Sequence, residues 1–152
     1  MLRPVRRFLS LGTAQRRMFL QACVRLGAVR FALRSRSFRQ MIEGLSVLPG
    51  LVAPPAPAPA GLEQARAIGW AVRAASRYTP WSSTCLVQVL AAQQMLRERA
   101  IPGAFYIGAA PGEKGAAPVG LEAHAWLKCG EQFITGEAGH QRYTVVSTFL
   151  WP

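Results

Sequence analysis

The chain has 152 residues, enough for one core of ordinary size but not comfortably for two. Apolar residues make up 51 %, which argues against a fully disordered protein. The formal net charge of +11 calls for an acidic partner, whether nucleic acid, an anionic membrane face or an acidic peptide. That charge is one-sided: Arg3, Arg6, Arg7, Arg16, Arg17, Arg25, Arg30, Arg34, Arg36 and Arg39 all precede the first acid, Glu43.

Arg3, Arg6 and Arg7 resemble the charged start of an export signal. The apolar stretch behind them is broken by Arg16, Arg17, Arg25 and Arg30, and no run approaches the roughly 20 residues a membrane span needs. Peripheral contact with an anionic, inner membrane surface is compatible with the charge. Thr13 is expected to cap a helix, with Gln15 one residue short of the capping-box position. Behind it, Met18, Phe19, Ala22, Cys23, Leu26, Val29 and Leu33 recur at helical steps. Ser37 to Leu45 reads as a short helix closed by Gly44. Residues 48–61 are so rich in Pro and Ala that an extended linker is expected. This divides the chain into an Arg-rich helical segment (1–47), a linker (48–61) and a second domain (62–152).

In that second domain Leu62 to Ser76 reads as a helix, ended by Tyr78-Thr-Pro-Trp81. A second helix is predicted from about Thr84 to Arg99, stopped by Ile101-Pro-Gly103. Strands follow at Ala104–Ala109, Glu122–Lys128, Gln132–Thr135 and Tyr143–Phe149, with a loop at Pro111–Gly120. Cys23, Cys85 and Cys129 are far apart and odd in number, so no disulfide framework is read and a reducing, cytoplasmic setting fits. No C-x-x-C occurs, no metal site is expected, and the Gly-rich stretches lack a phosphate-loop continuation, so no cofactor is expected either.

Chemistry is suggested by WSSTCLVQVLAAQQ, residues 81–94. Ser82, Ser83 and Thr84 are all good helix caps, so Cys85 falls in the first turn, where free backbone N–H groups and the helix dipole favour a thiolate. The bland alternative is a small buried thiol. A nucleophile needs a base. Of two histidines, His140 lies in a Gly-rich loop and reads as a solvated surface residue, whereas His124 lies on a predicted strand on the same face as Trp126; the alternative for His124 is a satisfied core histidine. A two-residue turn at Gly130-Glu131 would set His124 opposite Glu137, which could then orient the ring. A one-residue difference in that turn would put Gly136 there instead and leave no orienter. The chain contains no Asp and no Asn, so any acidic orienter must be Glu. The Cys85 backbone N–H is expected to serve an oxyanion hole, with Trp81, Ser82, Ser83 and Thr84 as candidate second donors and Trp126 lining the site.

These residues, in this order, resemble the leader peptidases of lasso-peptide biosynthesis. The resemblance rests on Cys85-Leu86 at a helix start, Ala100-Ile101-Pro102 after the long helix, Ile107-Gly108 in a strand and His124-Ala125-Trp126 in the next, and covers roughly residues 62–150. It implies an α+β, transglutaminase-like and papain-like core, with a nucleophile-bearing helix on an antiparallel sheet. It further implies a cysteine peptidase, Cys85 as nucleophile and His124 as base, that removes the leader of a ribosomally made precursor through an acyl-thioester. The implied partners are the precursor's leader, a small separate leader-recognition protein and an ATP-using cyclase. Some members carry an Asp after the histidine; this chain has none, so Glu137 or a backbone carbonyl must serve. Amide transfer or deamidation on the same core is the alternative enzyme. A basic nucleic-acid-binding module is the alternative non-enzyme, although no reading motif or interleaved aromatics accompany the arginines.

Overall fold

A computed structural model describes residues 2–112 and 120–152. Five helices precede or interleave with a single antiparallel sheet: α1 (Leu2–Leu9), α2 (Thr13–Ser35), α3 (Phe38–Met41), α4 (Pro59–Ser76) and α5 (Cys85–Arg97), with strands β1 (Ser46–Pro49), β2 (Gly103–Pro111), β3 (Leu121–Cys129), β4 (Gln132–Thr135) and β5 (Thr144–Trp151). The strand order is β1-β5-β2-β3-β4. The α+β expectation therefore holds. Most of the expected loop, residues 113–119, lies outside the described residues. No helix among the described residues is long and apolar enough to cross a membrane.

Helices α2 to α5 and one face of the sheet share one apolar core. Ala22, Leu26 and Val29 of α2 meet Ile68 and Val72 of α4, Leu90 and Leu96 of α5, and Phe105, Leu127 and Phe149 of the sheet. α5 packs on α2, α4 and β3. A fully buried leucine such as Leu26 costs about 2–5 kcal/mol when cut back to alanine. The arginine-rich α2 is thus built into the same core as the segment beyond residue 62.

Two elements escaped the sequence reading. One is α1. The other is β1, an edge strand paired only with β5, from Ser46↔Leu150 to Pro49↔Ser147; proline is tolerated at such an edge. The Pro-rich stretch that follows is a strap across the outer face of the sheet. Several of its polar groups are satisfied there: the Thr148 hydroxyl donates to the Gly50 carbonyl (2.6 Å), Val52 N–H donates to Thr148 Oγ1 (3.2 Å), Tyr106 O–H donates to the Val52 carbonyl (2.9 Å) and Gly130 N–H donates to the Pro55 carbonyl (2.9 Å). Proline suits this route because each one removes a donor that the strap would otherwise have to satisfy. Burial, helped by Glu131, pushes the Tyr106 phenol up to about 12.

The caps explain the helix limits. α2 is capped by Gly12, not Thr13, with Gly12 N–H donating to Gln15 Oε1 (3.4 Å). The offset of Gln15 that disqualified Thr13 marks the residue before it. Ser37 caps α3 by a reciprocal exchange with Gln40. The turn that follows α5 closes on Ala100, which adopts φ 53°, a left-handed conformation usually given to glycine, while Ile101 N–H donates back to the Leu96 carbonyl (3.0 Å).

Candidate active site

Cys85 is the first residue of α5. Thr84 caps the helix, its hydroxyl accepting from Val87 N–H (3.4 Å). The approach to the cap is tied down as well: Gln88 Nε2 donates to the Ser83 carbonyl (3.0 Å), and Ser83 Oγ lies 3.3 Å from Thr79 Oγ1. As the first helical residue, Cys85 presents a backbone N–H that has no partner within the helix. The other two thiols are packing groups. Burial pushes the Cys129 thiol up to about 12 and raises that of Cys23 against a smaller opposing backbone hydrogen bond.

His124 lies on β3. Alternation along this strand turns Ala125, Leu127 and Cys129 toward the helices. His124 stacks with Trp126 (centroids 5.8 Å apart) and Tyr143 (5.1 Å). The ring's Nε2 is 2.7 Å from the carbonyl oxygen of Gly136, just past the end of β4. A carbonyl can only accept, so Nε2 carries the proton and Nδ1 keeps a free lone pair.

The hairpin geometry explains why a carbonyl meets the ring. The turn is the expected one: Cys129 pairs with Gln132 and Lys128 with Phe133, and Gly130 has φ 55°. The expected register then fails, because Leu127 pairs with Thr135. One extra residue, Ile134, bulges the β4 strand and shifts everything beyond it by one. Continued, that register sets Gly136 opposite Trp126 and takes Glu137 away from the position opposite His124, and it is the Gly136 carbonyl that reaches the imidazole. Gly136 has φ 77°, and a Cβ there would lie 2.3 Å from the Ala125 carbonyl oxygen and 2.8 Å from Trp126 Cα. Only glycine lets the two strands close in this way.

The bulge is pinned from the helical side. Arg73 of α4 donates from a guanidinium N–H to the carbonyl of the buried Ile134. Gly69, one turn earlier, leaves room, since a Cβ there would sit 2.6 Å from that same oxygen. Burial, and then Arg77, draw the Arg73 pKa down, while Glu137 acts in the opposite sense. Glu137 is thus an exposed residue on the rim of the site, within electrostatic reach of Arg73.

Cys85 and His124 line one cleft of about 600 Å³, together with Arg73, Gln88, Thr135 and the Gly136–Ala138 stretch. The hydroxyl of Thr135 in this wall is buried without a hydrogen-bond partner. The other expected lining residues make contacts of their own. Trp81 covers Gly27 of α2, Thr84 is spent on the cap, Ser83 is engaged with Thr79 and Gln88, and Trp126 packs on Tyr106 (5.7 Å). His140 is not a loose surface group: its Nδ1 is 2.7 Å from the Glu137 carbonyl oxygen and its ring packs on Phe133 (4.6 Å). Gln88 was within reach of sequence reasoning, being one helical turn from Cys85 and hence on the same face. Arg73 carried no local signal, and Gly136 only that of being glycine. Among the described residues no three His, Cys, Asp or Glu side chains gather as metal ligands would.

The chain that carries this thiol and histidine is matched by a family model. The model describes the transglutaminase-like superfamily and matches residues 25–148. The chain belongs to the transglutaminase-like superfamily. The match begins inside α2, runs across the Pro-rich strap and ends in β5, so it takes in the cleft and the helices behind it. This transglutaminase-like core is a cysteine-protease-like or acyl-transfer fold. No curated protein and no solved structure gave a significant match to the chain.

Proposed function

We infer that this transglutaminase-like protein is a cysteine peptidase that removes the leader from a ribosomally made lasso-peptide precursor. The observation that carries the reading is the shared cleft: Cys85 at the first position of α5 and His124 with its Nε2–H committed to the Gly136 carbonyl. The ordered motif set from Cys85-Leu86 to His124-Ala125-Trp126 supports the choice of substrate within the superfamily.

In this mechanism Nδ1 of His124 takes the Cys85 proton as Sγ attacks the scissile carbonyl. The oxyanion is received by the Cys85 backbone N–H and by the second Nε2–H of Gln88, whose first is spent on the Ser83 carbonyl. The imidazolium is stabilised by the Gly136 carbonyl and returns its proton to the departing amine, leaving a thioester on Cys85. Water, deprotonated by the same Nδ1, attacks the thioester and frees the thiol and the acid product. The site works as a dyad with a carbonyl orienter, and Glu137 stays outside it. A small leader-recognition protein would deliver the substrate, and an ATP-using cyclase would consume the product.

The test is mass spectrometry of a candidate precursor incubated with this protein and a leader-binding protein. The reading predicts paired leader and core fragments differing from the precursor by one water, abolished in Cys85→Ala and in His124→Ala. A product gaining an amine, or one altered by the mass of deamidation with the chain intact, would assign the thioester to transfer or deamidation instead. Cleavage by Cys85→Ala protein would overturn the reading.

A further inference from the structure

A second concavity lies beside α4, outside the cleft. It is a groove of about 400 Å³ between α1, α2 and α4, with Phe8, Phe19 and Tyr78 in ring contact along it (centroids 5.5 and 6.3 Å apart). Val5 and Trp70 complete an apolar lining that is left open: Val5 is 56 % exposed, Tyr78 58 % and Trp70 36 %. Among the described residues the charged groups on the groove are Arg7 and Arg77, and no acid lines it. Neither guanidinium takes part in an ion pair among the described residues. Large apolar side chains left uncovered and rimmed by free cations mark a binding surface for something apolar and negative.

We propose that this groove anchors an acidic, apolar segment of the peptide substrate, away from the scissile bond. The proposal rests on the peptidase reading above. Geometry favours the substrate over a separate partner. Trp70, Ala74 and Arg77 face the groove, whereas Arg73, on the same two turns of α4, faces the cleft. Arg73 is one turn from Arg77 and three residues from Trp70, so the two depressions adjoin along one side of α4. A peptide whose apolar residues fill the groove and whose carboxylates meet Arg7 and Arg77 would run along α4 to Cys85. The concentration of arginines before Glu43 adds long-range attraction for the same charge.

Binding is measured with Cys85→Ala protein, so that no chemistry is needed. The probe is a short fluorescein-labelled peptide in which leucines alternate with glutamates, read by anisotropy and by quenching of Trp70 emission lost in Trp70→Phe. Saturable binding is expected, weakened roughly five- to tenfold by the Arg7→Gln/Arg77→Gln pair, weakened by salt, and lost when the peptide's leucines become serines or its glutamates become lysines. Phe8→Ala, checked for an unchanged thermal melt, serves as a second groove variant. In wild-type protein the same arginine pair should raise KM for a precursor with this segment while leaving kcat unchanged. Equal affinity for the lysine peptide, indifference to both groove variants, or binding only to phosphatidylglycerol vesicles and to no peptide would overturn the proposal. Peptide binding without any cleavage by wild-type protein would sink the peptidase reading and leave the groove standing. Cleavage equally fast with and without the acidic segment would do the reverse.

Discussion

Replacing Gly136 with alanine tests the link between the β4 bulge and the imidazole. The new Cβ would start 2.3 Å from the Ala125 carbonyl oxygen, in a residue at φ 77°. An ordinary carbon–oxygen contact is about 1 Å longer, so the strands must part by roughly that much. The left-handed conformation costs about 1–2 kcal/mol for a residue with a Cβ, and the overpacking adds about 1–3 kcal/mol. A loss of about 2–5 kcal/mol remains below the stability of most domains of this size, so the variant should fold at room temperature. The same displacement breaks the 2.7 Å contact that assigns the proton to Nε2, and a misplacement of about 1 Å in a catalytic group is worth about 10²-fold in rate. Urea unfolding gives the first quantity. Nitrogen chemical shifts of His124 give the tautomer, and precursor cleavage gives the rate. A variant within about 0.5 kcal/mol of wild type, with the tautomer and kcat unchanged, would refute the argument that this carbonyl orients the ring.

Arg73→Ala strands the buried Ile134 carbonyl and should cost about 1–3 kcal/mol in urea unfolding, with kcat falling as the bulge relaxes; wild-type values for both would show that Arg73 pins nothing. Ala100→Gly relieves the left-handed residue behind α5 and should raise stability by about 1 kcal/mol; a lower melting temperature would contradict this. Glu137→Ala should leave cleavage within a few fold, since the ring is held by Gly136; a loss matching that of His124→Ala would restore Glu137 as the orienter. The raised thiol of Cys129 has a pH signature. Its folded pKa, about 12, is above the ordinary value of 9.0, so the unfolded chain releases this proton first. Its contribution is complete below pH 9 and is lost as pH rises toward 12, at up to about 1 kcal/mol per pH unit. Cys129→Ala should flatten that alkaline decline, and an unchanged slope would place its origin elsewhere.

Much of the site could be read from the sequence because its signals are local. The run Ser82-Ser83-Thr84 announces a helix start by cap chemistry, and α5 begins at Cys85 as expected. Gly130 announces the hairpin turn, and β4 spans the expected residues. What the sequence concealed depends on contacts between distant segments. β1 exists only because β5 accepts it as an edge, and its Ser-Val-Leu-Pro reads equally well as the start of a linker. The strap is fixed by Thr148 and Tyr106, which lie 98 and 54 residues further along the chain from the carbonyls they hold but adjacent in space. The bulge at Ile134 owes its place to Arg73, 61 residues earlier. No pattern within QFITGE distinguishes a register that offers Glu137 to the ring from one that offers the Gly136 carbonyl. Glycine at that position is the one trace, since close strand approach permits nothing larger.

The central claim is that the Cys85 sulfur carries the acyl group during peptide cleavage. Intact-protein mass spectrometry after rapid acid quench, with precursor in excess, tests it most directly. The account predicts a transient adduct with the mass of the acyl-side fragment, mapped to the peptide containing Cys85, labile to hydroxylamine and absent in Cys85→Ala. Turnover of precursor with the thiol of Cys85 alkylated, or an adduct mapped to Cys23 or Cys129, would contradict it.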